Sequence, residues 1–363
     1  MFPYTGYGKD GLALIDLFLR AGFDVHVDPD GVAPPIPQAA ALLLTKPGAS
    51  NYDMQLKQFD PIRLKAWKGE KARTPLLIGW TMWEWSSLDA RTSEETLDRL
   101  PAQYAHFDSI AMYDGNSRNA VEPYIPASVH RMTAQGGYDA NNTRVVQRDF
   151  TARPFKFLMY GALTPRKGPF YAINAFTSIK KRRPDLDIEL HLKTSEIGLH
   201  PRLEEVYPGV KIYNAVWSQQ QMDQLIAECH CLLCPSLGEG KNMAAMEFAA
   251  SGGPVIATDW GGHTVWLNSE FAYPLRCTEV RDKPTFEALR AEPDVQHLEE
   301  LMEFVIDNPE DVKRKSLIAT RLMPQMFSWE ATVVNMFARM SAEGIDAARP
   351  VLEQLRRGLD YHR

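Results

Sequence analysis

The chain has 363 residues, 45% hydrophobic and 24% charged, with a formal net charge of −6. That length is enough for two domains with separate cores, and the composition excludes a disordered or fibrous chain. The acidic balance excludes a global pull toward nucleic acid or anionic lipid, and no apolar run reaches the roughly 18 residues of a membrane span.

Met1 leads straight into a glycine-rich stretch, so no signal peptide is expected. Thr5-Gly6-Tyr7-Gly8 reads as a turn, and Leu12, Ile15 and Leu19 then recur at helical spacing. Gly22 stops that helix, and Phe23, Val25 and Val27 alternate as a strand. Short apolar strands are expected at Ala41 to Leu44, at Leu76 to Ile78 and near Ile110, the pulse of a parallel sheet with crossover helices. Between Lys57 and Arg73, six basic residues (Lys57, Arg63, Lys65, Lys68, Lys71, Arg73) face only Asp60 and Glu70, with Trp67 among them. A solvated helix face is the plain reading; contact with an anionic acceptor or membrane surface is the alternative.

Around Gln147 to Pro154 the pattern breaks into a polar stretch that reads as a hinge. A second strand-helix series follows. Phe155 to Tyr160 is a strand, Gly161 to Gly168 a loop, and Phe170, Ile173 and Phe176 lie on one side of a helix. Ile188, Leu190 and Leu192 alternate, Leu225 and Ile226 sit on a helix, and Cys231 to Cys234 and Val255 to Ala257 are buried strands. Cys229, Cys231 and Cys234 crowd together, with Cys277 apart; buried thiols in a reducing cytoplasm suit them better than a disulfide framework or a zinc site. The tail is helical, with Trp329, Val333, Phe337 and Met340 on one face. The expected division is 1–150 and 151–330, two Rossmann-like α/β domains, with helices in 331–363 packing back on the first.

Chemistry concentrates in the second half. After the strand ending near Pro235 comes Leu237-Gly238-Glu239-Gly240-Lys241-Asn242-Met243, then a helix carrying Glu247. Exposed amides and the helix dipole make such a start an anion site, and two carboxylates bracketing it can accept hydrogen bonds from sugar or ribose hydroxyls. A capping acid plus a solvated helix acid is the bland alternative. Upstream, Thr164-Pro165-Arg166-Lys167-Gly168 places adjacent cations where another helix begins, against the dipole, which is costly unless an anion lies between them. Downstream, Ser251-Gly252-Gly253-Pro254-Val255-Ile256 and Gly261-Gly262 bring a third junction to the same sheet edge.

On these motifs, the stretch from Phe155 to about Trp329 resembles the donor domain of retaining glycosyltransferase family 4, which has the GT-B fold: two Rossmann-like domains facing each other across a cleft. Glu239 and Glu247 match its Glu-x7-Glu signature, Lys167-Gly168 its Lys-Gly loop, and Gly252 to Ile256 with Gly261-Gly262 its Gly-x-Pro-Val-Ile strand and following turn. The resemblance implies that Glu247 binds the donor ribose and Glu239 the sugar near its reacting carbon. Lys167 and Arg166 hold the diphosphate, with amides around Gly240, Lys241, Asn242 and Met243. Two departures are Ala162, where members often carry Arg, and Val265, where they often carry Glu.

The first half resembles the family more loosely. Gly6-Tyr7-Gly8 is similar to the loop that approaches the donor phosphate, and Gly136-Gly137-Tyr138-Asp139 to the segment closing the domain. Where many members place a His, this chain has Trp80-Thr81-Met82-Trp83-Glu84-Trp85. Those Trp are either core or an aromatic platform for sugar or acceptor, with Glu84 as a polar anchor; His106 is expected to be structural. The implied activity is metal-independent hexosyl or pentosyl transfer from a nucleotide sugar such as a UDP-sugar to an unidentified acceptor (a small molecule, a lipid head group, a protein or a modified DNA base), with no bound cofactor. A nucleotide-sugar epimerase or phosphorylase on the same fold, or a silent binding module, are the rival readings.

Overall fold

The computed structural model describes residues 6–27, 52–62, 74–89, 92–113, 115–195, 203–281 and 288–360. Two compact units emerge, Met1–Asp139 with Met326–Arg363, and Ala140–Gln325. In the first, helix α1 (Gly6–Arg20) precedes β1 (Gln55–Gln58), β2 (Leu77–Thr81), α2 (Glu94–Tyr104), β3 (Ser109–Met112), α3 (Gly115–Val121) and β4 (His130–Thr133). The four strands form one parallel sheet in sequence order.

The core of this unit forms around aromatic rings. Trp80 on β2 packs against Tyr113 and Trp329 at ring-centre distances of 5.5 and 5.7 Å, edge-on to the latter. Helices α10 (Trp329–Ala342) and α11 (Ala348–Gly358) lay Val333, Phe337, Met340, Val351 and Leu355 onto the same core as Leu17 of α1. Trp329 is held where it enters: its amide donates to Tyr138, and a Cβ on Gly137 would come within 2.7 Å of its indole. The Gly136–Asp139 segment thus acts as a seat for the C-terminal helices.

Several expectations for this unit need correction. Gly6 and Gly8 lie in the first turn of α1, not in a turn before it; first-turn residues have no i−4 acceptor to satisfy, so glycine is tolerated there. Phe23 to Val27 is irregular backbone, and among the described residues no strand pairs with it; Phe23 and Val25 simply pack on the core. The Ala41–Leu44 segment lies outside the described residues, as does most of the basic stretch, including Arg63, Lys65, Lys68, Lys71 and Arg73. Lys57 belongs to strand β1 and not to a helix.

The second unit begins with β5 (Phe155–Tyr160), α4 (Pro169–Arg182), β6 (Ile188–Thr194), α5 (Leu203–Val206), β7 (Val210–Asn214), α6 (Gln219–Glu228) and β8 (Cys231–Cys234). It continues through α7 (Met243–Ala250), β9 (Val255–Thr258), β10 (Tyr273–Leu275), the antiparallel hairpin β11 (Cys277–Arg281) and β12 (Leu289–Pro293), α8 (Val295–Asp307) and α9 (Pro309–Phe327). The main sheet is parallel in the order β10-β9-β8-β5-β6-β7. The chain winds outward from β5 in one direction and then restarts at β8 on its other side. Such a reversal opens a crevice at the carboxyl ends of the two central strands, where ligands bind in open α/β sheets. Strands buried on both faces explain the continuous apolar runs Phe157-Leu158-Met159 and Cys231-Leu232-Leu233, and the cysteines there are buried free thiols.

The stretch Gln147–Pro154, expected as a hinge, lies inside the second unit. Val146 donates its amide to Ser251, and Arg148 donates to the carbonyls of Cys229, Ile226 and Ser251 and to the Ser251 hydroxyl while its guanidinium lies over Phe248. One arginine thereby satisfies three carbonyls, which is why this polar stretch is fixed. Arg148→Met is expected to strand the Ile226 and Cys229 carbonyls, Ser251 keeping the Val146 amide, and to lower stability by about 2–4 kcal/mol, measured by urea unfolding. A loss under about 0.5 kcal/mol would mean the stretch is held by its backbone alone.

Candidate donor site

Two loops meet at the crevice. After β5 the chain makes a 3-10 turn at Pro165–Lys167, and Gly168, in the left-handed region at φ 71°, starts α4. A Cβ on Gly168 would sit 2.0 Å from the carbonyl oxygen of Pro235, so glycine is required for the loop after β8 to pass. The loops are then stitched: Leu237 donates its amide to the Arg166 carbonyl at 2.8 Å, and Arg166 Nη1 donates to the Gly238 carbonyl.

The stitching puts Glu239 between two cations. Its carboxylate lies 2.7 Å from Lys167 Nζ and 3.1 Å from Arg166 Nη1, and the residue is 4% exposed. Burial alone would raise this carboxyl, but the Lys167 ammonium and Arg166 guanidinium outweigh it and hold it down at about 2. The cluster carries one net positive charge at neutral pH, in a crevice that opens beside a helix start.

That helix is α7. Its N-cap, Asn242, has φ 64° and accepts the Ala245 amide on its side chain. Lys241 beside it is buried, Met243 and Ala244 are half-buried, and Tyr160 at the end of β5 donates its hydroxyl to the Ala244 carbonyl at 2.7 Å. Glu247 follows one turn further along, half-buried. The turn Gly261–Val265 after β9 closes behind: Gly262 donates its amide to the Glu239 carbonyl at 2.7 Å, and a Cβ there would strike Gly240 at 2.4 Å.

Of the expected residues, Arg166, Lys167, Glu239, Gly240, Lys241, Asn242, Met243 and Glu247 therefore lie on the loops and helix at one sheet edge. Gly6 and Gly8 belong to the other unit. Trp80 is wholly buried and Trp83 is 5% exposed, its indole N–H bonded to the Ser87 carbonyl, so the platform reading gives way to core packing. The strand that carries Trp80 is buried on both faces, leaving no open face for a ligand. Glu84 is half-buried beyond the end of β2, and His106 is exposed. Two features escaped sequence reasoning. One is His263, whose signal was its place next to Gly261-Gly262. The other is the β11–β12 hairpin, which donates the Ala291 amide to the Leu237 carbonyl and holds Trp260 Nε1 on Glu279 at 2.8 Å. Its strands are short and rich in charged and polar residues, with only Leu289, Ala291 and Pro293 alternating on β12.

Residues 154–274 match the family described as glycosyl transferases group 1. Over 114 residues the chain is 27% identical to a D-inositol 3-phosphate glycosyltransferase of Paenarthrobacter aurescens (strain TC1), a match spanning 30% of this chain and 28% of that relative. Among solved structures it is similar to sucrose-phosphate synthase from Thermosynechococcus elongatus (TM-score 0.57, 16% identity, 75% of this chain and 68% of that one). It is also similar to the Anabaena protein HepE in complex with UDP (TM-score 0.56, 14% identity, 74% and 72%), and to TarM (TM-score 0.57, 10% identity, 78% and 54%). The fold is α/β and of the GT-B type, as the sequence motifs implied. Among the described residues no helix is long and apolar enough to cross a membrane.

Glu239→Ala leaves two cations facing each other in a buried site. Without nucleotide, it is expected to lose about 3 kcal/mol at neutral pH by urea unfolding. Because the folded carboxyl is held below its ordinary value of 4.5, its contribution is full above that pH and is lost as pH falls toward about 2. The acid-unfolding curve of the variant should be flatter across that window; an identical curve would mean the ion cluster adds nothing.

Proposed function

We propose that this chain is a retaining glycosyltransferase that moves a sugar from a nucleoside-diphosphate sugar to an acceptor hydroxyl. The observation that carries the reading is the Lys167–Glu239–Arg166 cluster beside the start of α7, at the point where the strand order reverses. A diphosphate is an anion suited to two cations and the α7 amides gathered at one crevice. In this reading Lys167 and Arg166 stabilise charge on the leaving diphosphate, Glu239 orients both cations and reaches the sugar, and Glu247 accepts hydrogen bonds from the ribose.

Retention needs no protein nucleophile in this scheme. The glycosidic bond to the diphosphate breaks as the acceptor oxygen arrives on the same face, and a phosphate oxygen takes the acceptor's proton. The chain's part is positioning and preorganised charge, supplied by Arg166, Lys167 and the amides from Gly240 to Met243. A uridine donor is the first to try, since structures similar to this chain were solved with UDP and with UDP-glucose. The acceptor is a separate question that the donor residues do not answer.

Purified protein is expected to be stabilised by one member of a panel of nucleotide sugars, by about 2.7 kcal/mol at a hundredfold excess over Kd. It should also hydrolyse that donor slowly. Glu247→Ala and Lys167→Ala should each weaken donor binding at least about tenfold. Silence across the panel from a well-folded protein would overturn the reading, and unaltered affinity in Glu247→Ala would remove the ribose role.

A further inference from the structure

His263 takes no part in the chemistry above, yet both of its ring nitrogens are committed. The residue is 1% exposed, on the Gly261–Val265 turn. Nδ1 lies 2.8 Å from the Thr258 carbonyl oxygen, which can only accept, so Nδ1 carries the proton. Nε2 lies 2.8 Å from Asn242 Nδ2, which can only donate, so Nε2 is bare. The amide's orientation is set from its other end, because Asn242 Oδ1 accepts the Ala245 N–H that caps α7. The geometry therefore demands a neutral imidazole in one tautomer.

Asn242 needs that support. It is one of two non-glycine residues with positive φ among the described residues, at 64°, a conformation that costs an L-residue free energy and persists only when its surroundings fix it. Three bonds from the turn and the residue after it fix the segment: Gly262 N–H to the Glu239 carbonyl, Trp266 Nε1–H to the Lys241 carbonyl at 3.3 Å, and the His263–Asn242 bond. The first two hold carbonyls ahead of the helix. Of these three, the third holds the cap side chain, which also meets the Cys234 thiol.

We propose that His263 is a positioning residue of the donor site: its neutral imidazole, acting through Asn242, holds the first amides of α7 where a donor phosphate meets them. What those amides bind rests on the reading under Proposed function; the coupling from His263 to the cap does not. A proton on Nε2 replaces the acceptor with a donor, so that two N–H groups face each other and the cap is released. The charged groups facing the ring are Glu239 and Lys167 from the adjoining loops and Asp259 from the end of β9. Burial lowers the imidazole's affinity for a proton, with Glu239 pulling the other way, so the neutral form holds at neutral pH and is lost on the acid side of the ordinary value of 6.5.

The test uses the full chain with UDP-glucose, or whichever nucleotide sugar binds, from about pH 8 down to the lowest pH at which the fold persists. Wild type should lose affinity on the acid side. His263→Gln keeps an acceptor for Asn242 and does not ionise; it should bind within about twofold of wild type at neutral pH, with a flat profile. His263→Leu should bind about five- to tenfold more weakly, also with a flat profile. Asn242→Gly adopts positive φ freely and keeps the backbone; it too should lose the acid limb, which keeps the test sound if the Leu variant folds poorly. A second readout needs no donor: the protection of the Ala245 amide, its exchange rate compared with the intrinsic rate at each pH, should fall in wild type at acid pH and in His263→Leu at neutral pH. An acid limb persisting in His263→Gln, or Ala245 protection unmoved by the Leu substitution and by acid, would overturn the proposal. If no nucleotide sugar binds wild type, the donor reading fails, and the exchange measurement alone decides the coupling.

Discussion

The buried carboxylate of Glu239 is the constraint around which the second unit's crevice is built. An isolated ionised group at 4% exposure would cost several kcal/mol, so it persists only with both cations in place. Those cations come from the loop of a different strand. Lys167 and Arg166 reach Glu239 because β5 and β8 are neighbours and because Gly168 lets the Pro235 carbonyl pass where a side chain would stand. Strand order, loop glycine and ion cluster are thus one requirement expressed at three levels. Removing any of them leaves charge buried without a partner.

The same logic extends outward by backbone bonds. Arg166 accepts from Leu237, Leu237 accepts from Ala291 of the β11–β12 hairpin, and Glu239 accepts from Gly262. Each loop at this edge is therefore anchored to another loop as well as to its own strand. A site tied in this way holds its charges in place before any ligand arrives, which is the condition under which fixed charge stabilises a developing negative charge at little reorganisation cost. One glycine of these loops is needed for close approach: a Cβ on Gly262 would strike the Gly240 backbone.

Much of this unit was visible from sequence because the central strands of its parallel sheet are apolar and the loops at their carboxyl ends are glycine-rich. Arg166, Lys167, Glu239 and Glu247 fell where such junctions put them. The first unit yielded less, for physical reasons. Its strands include Gln55-Leu56-Lys57-Gln58 and His130-Arg131-Met132-Thr133, which lack an apolar run and become strands through pairing with β2 and β3. Gly6 and Gly8 looked like a turn because glycine is a poor helix former, yet at a helix start that penalty is small. Trp80 left its role open, since the same ring suits a core and a sugar platform; only its packing against Tyr113 and Trp329 decides. His263 was missed because its importance rests on a left-handed Asn242, and backbone sign does not show in periodicity.

The spacing of the two glutamates follows from how α7 is buried. Ala245, Met246, Phe248, Ala249 and Ala250 face the protein interior, while Met243, Ala244 and Glu247 remain half-buried. Positions one and five of a helix share a face, so the open stripe runs from the helix start to Glu247 over about 6 Å. A ligand whose anionic group rests on the first amides finds this one carboxylate along the only stripe the helix leaves open among its residues. A shorter interval between the glutamates would place the second acid inside the cap, where it would compete with the ligand for the same amides. One residue more or less would turn it by about 100° toward the core. Seven intervening residues, Gly240 to Asn242 in loop and cap and Met243 to Met246 in the helix, therefore set the distance between a buried ion cluster and a half-buried carboxylate. The tie from Tyr160 to the Ala244 carbonyl fixes that stripe to the end of β5, the strand from which the cations also come.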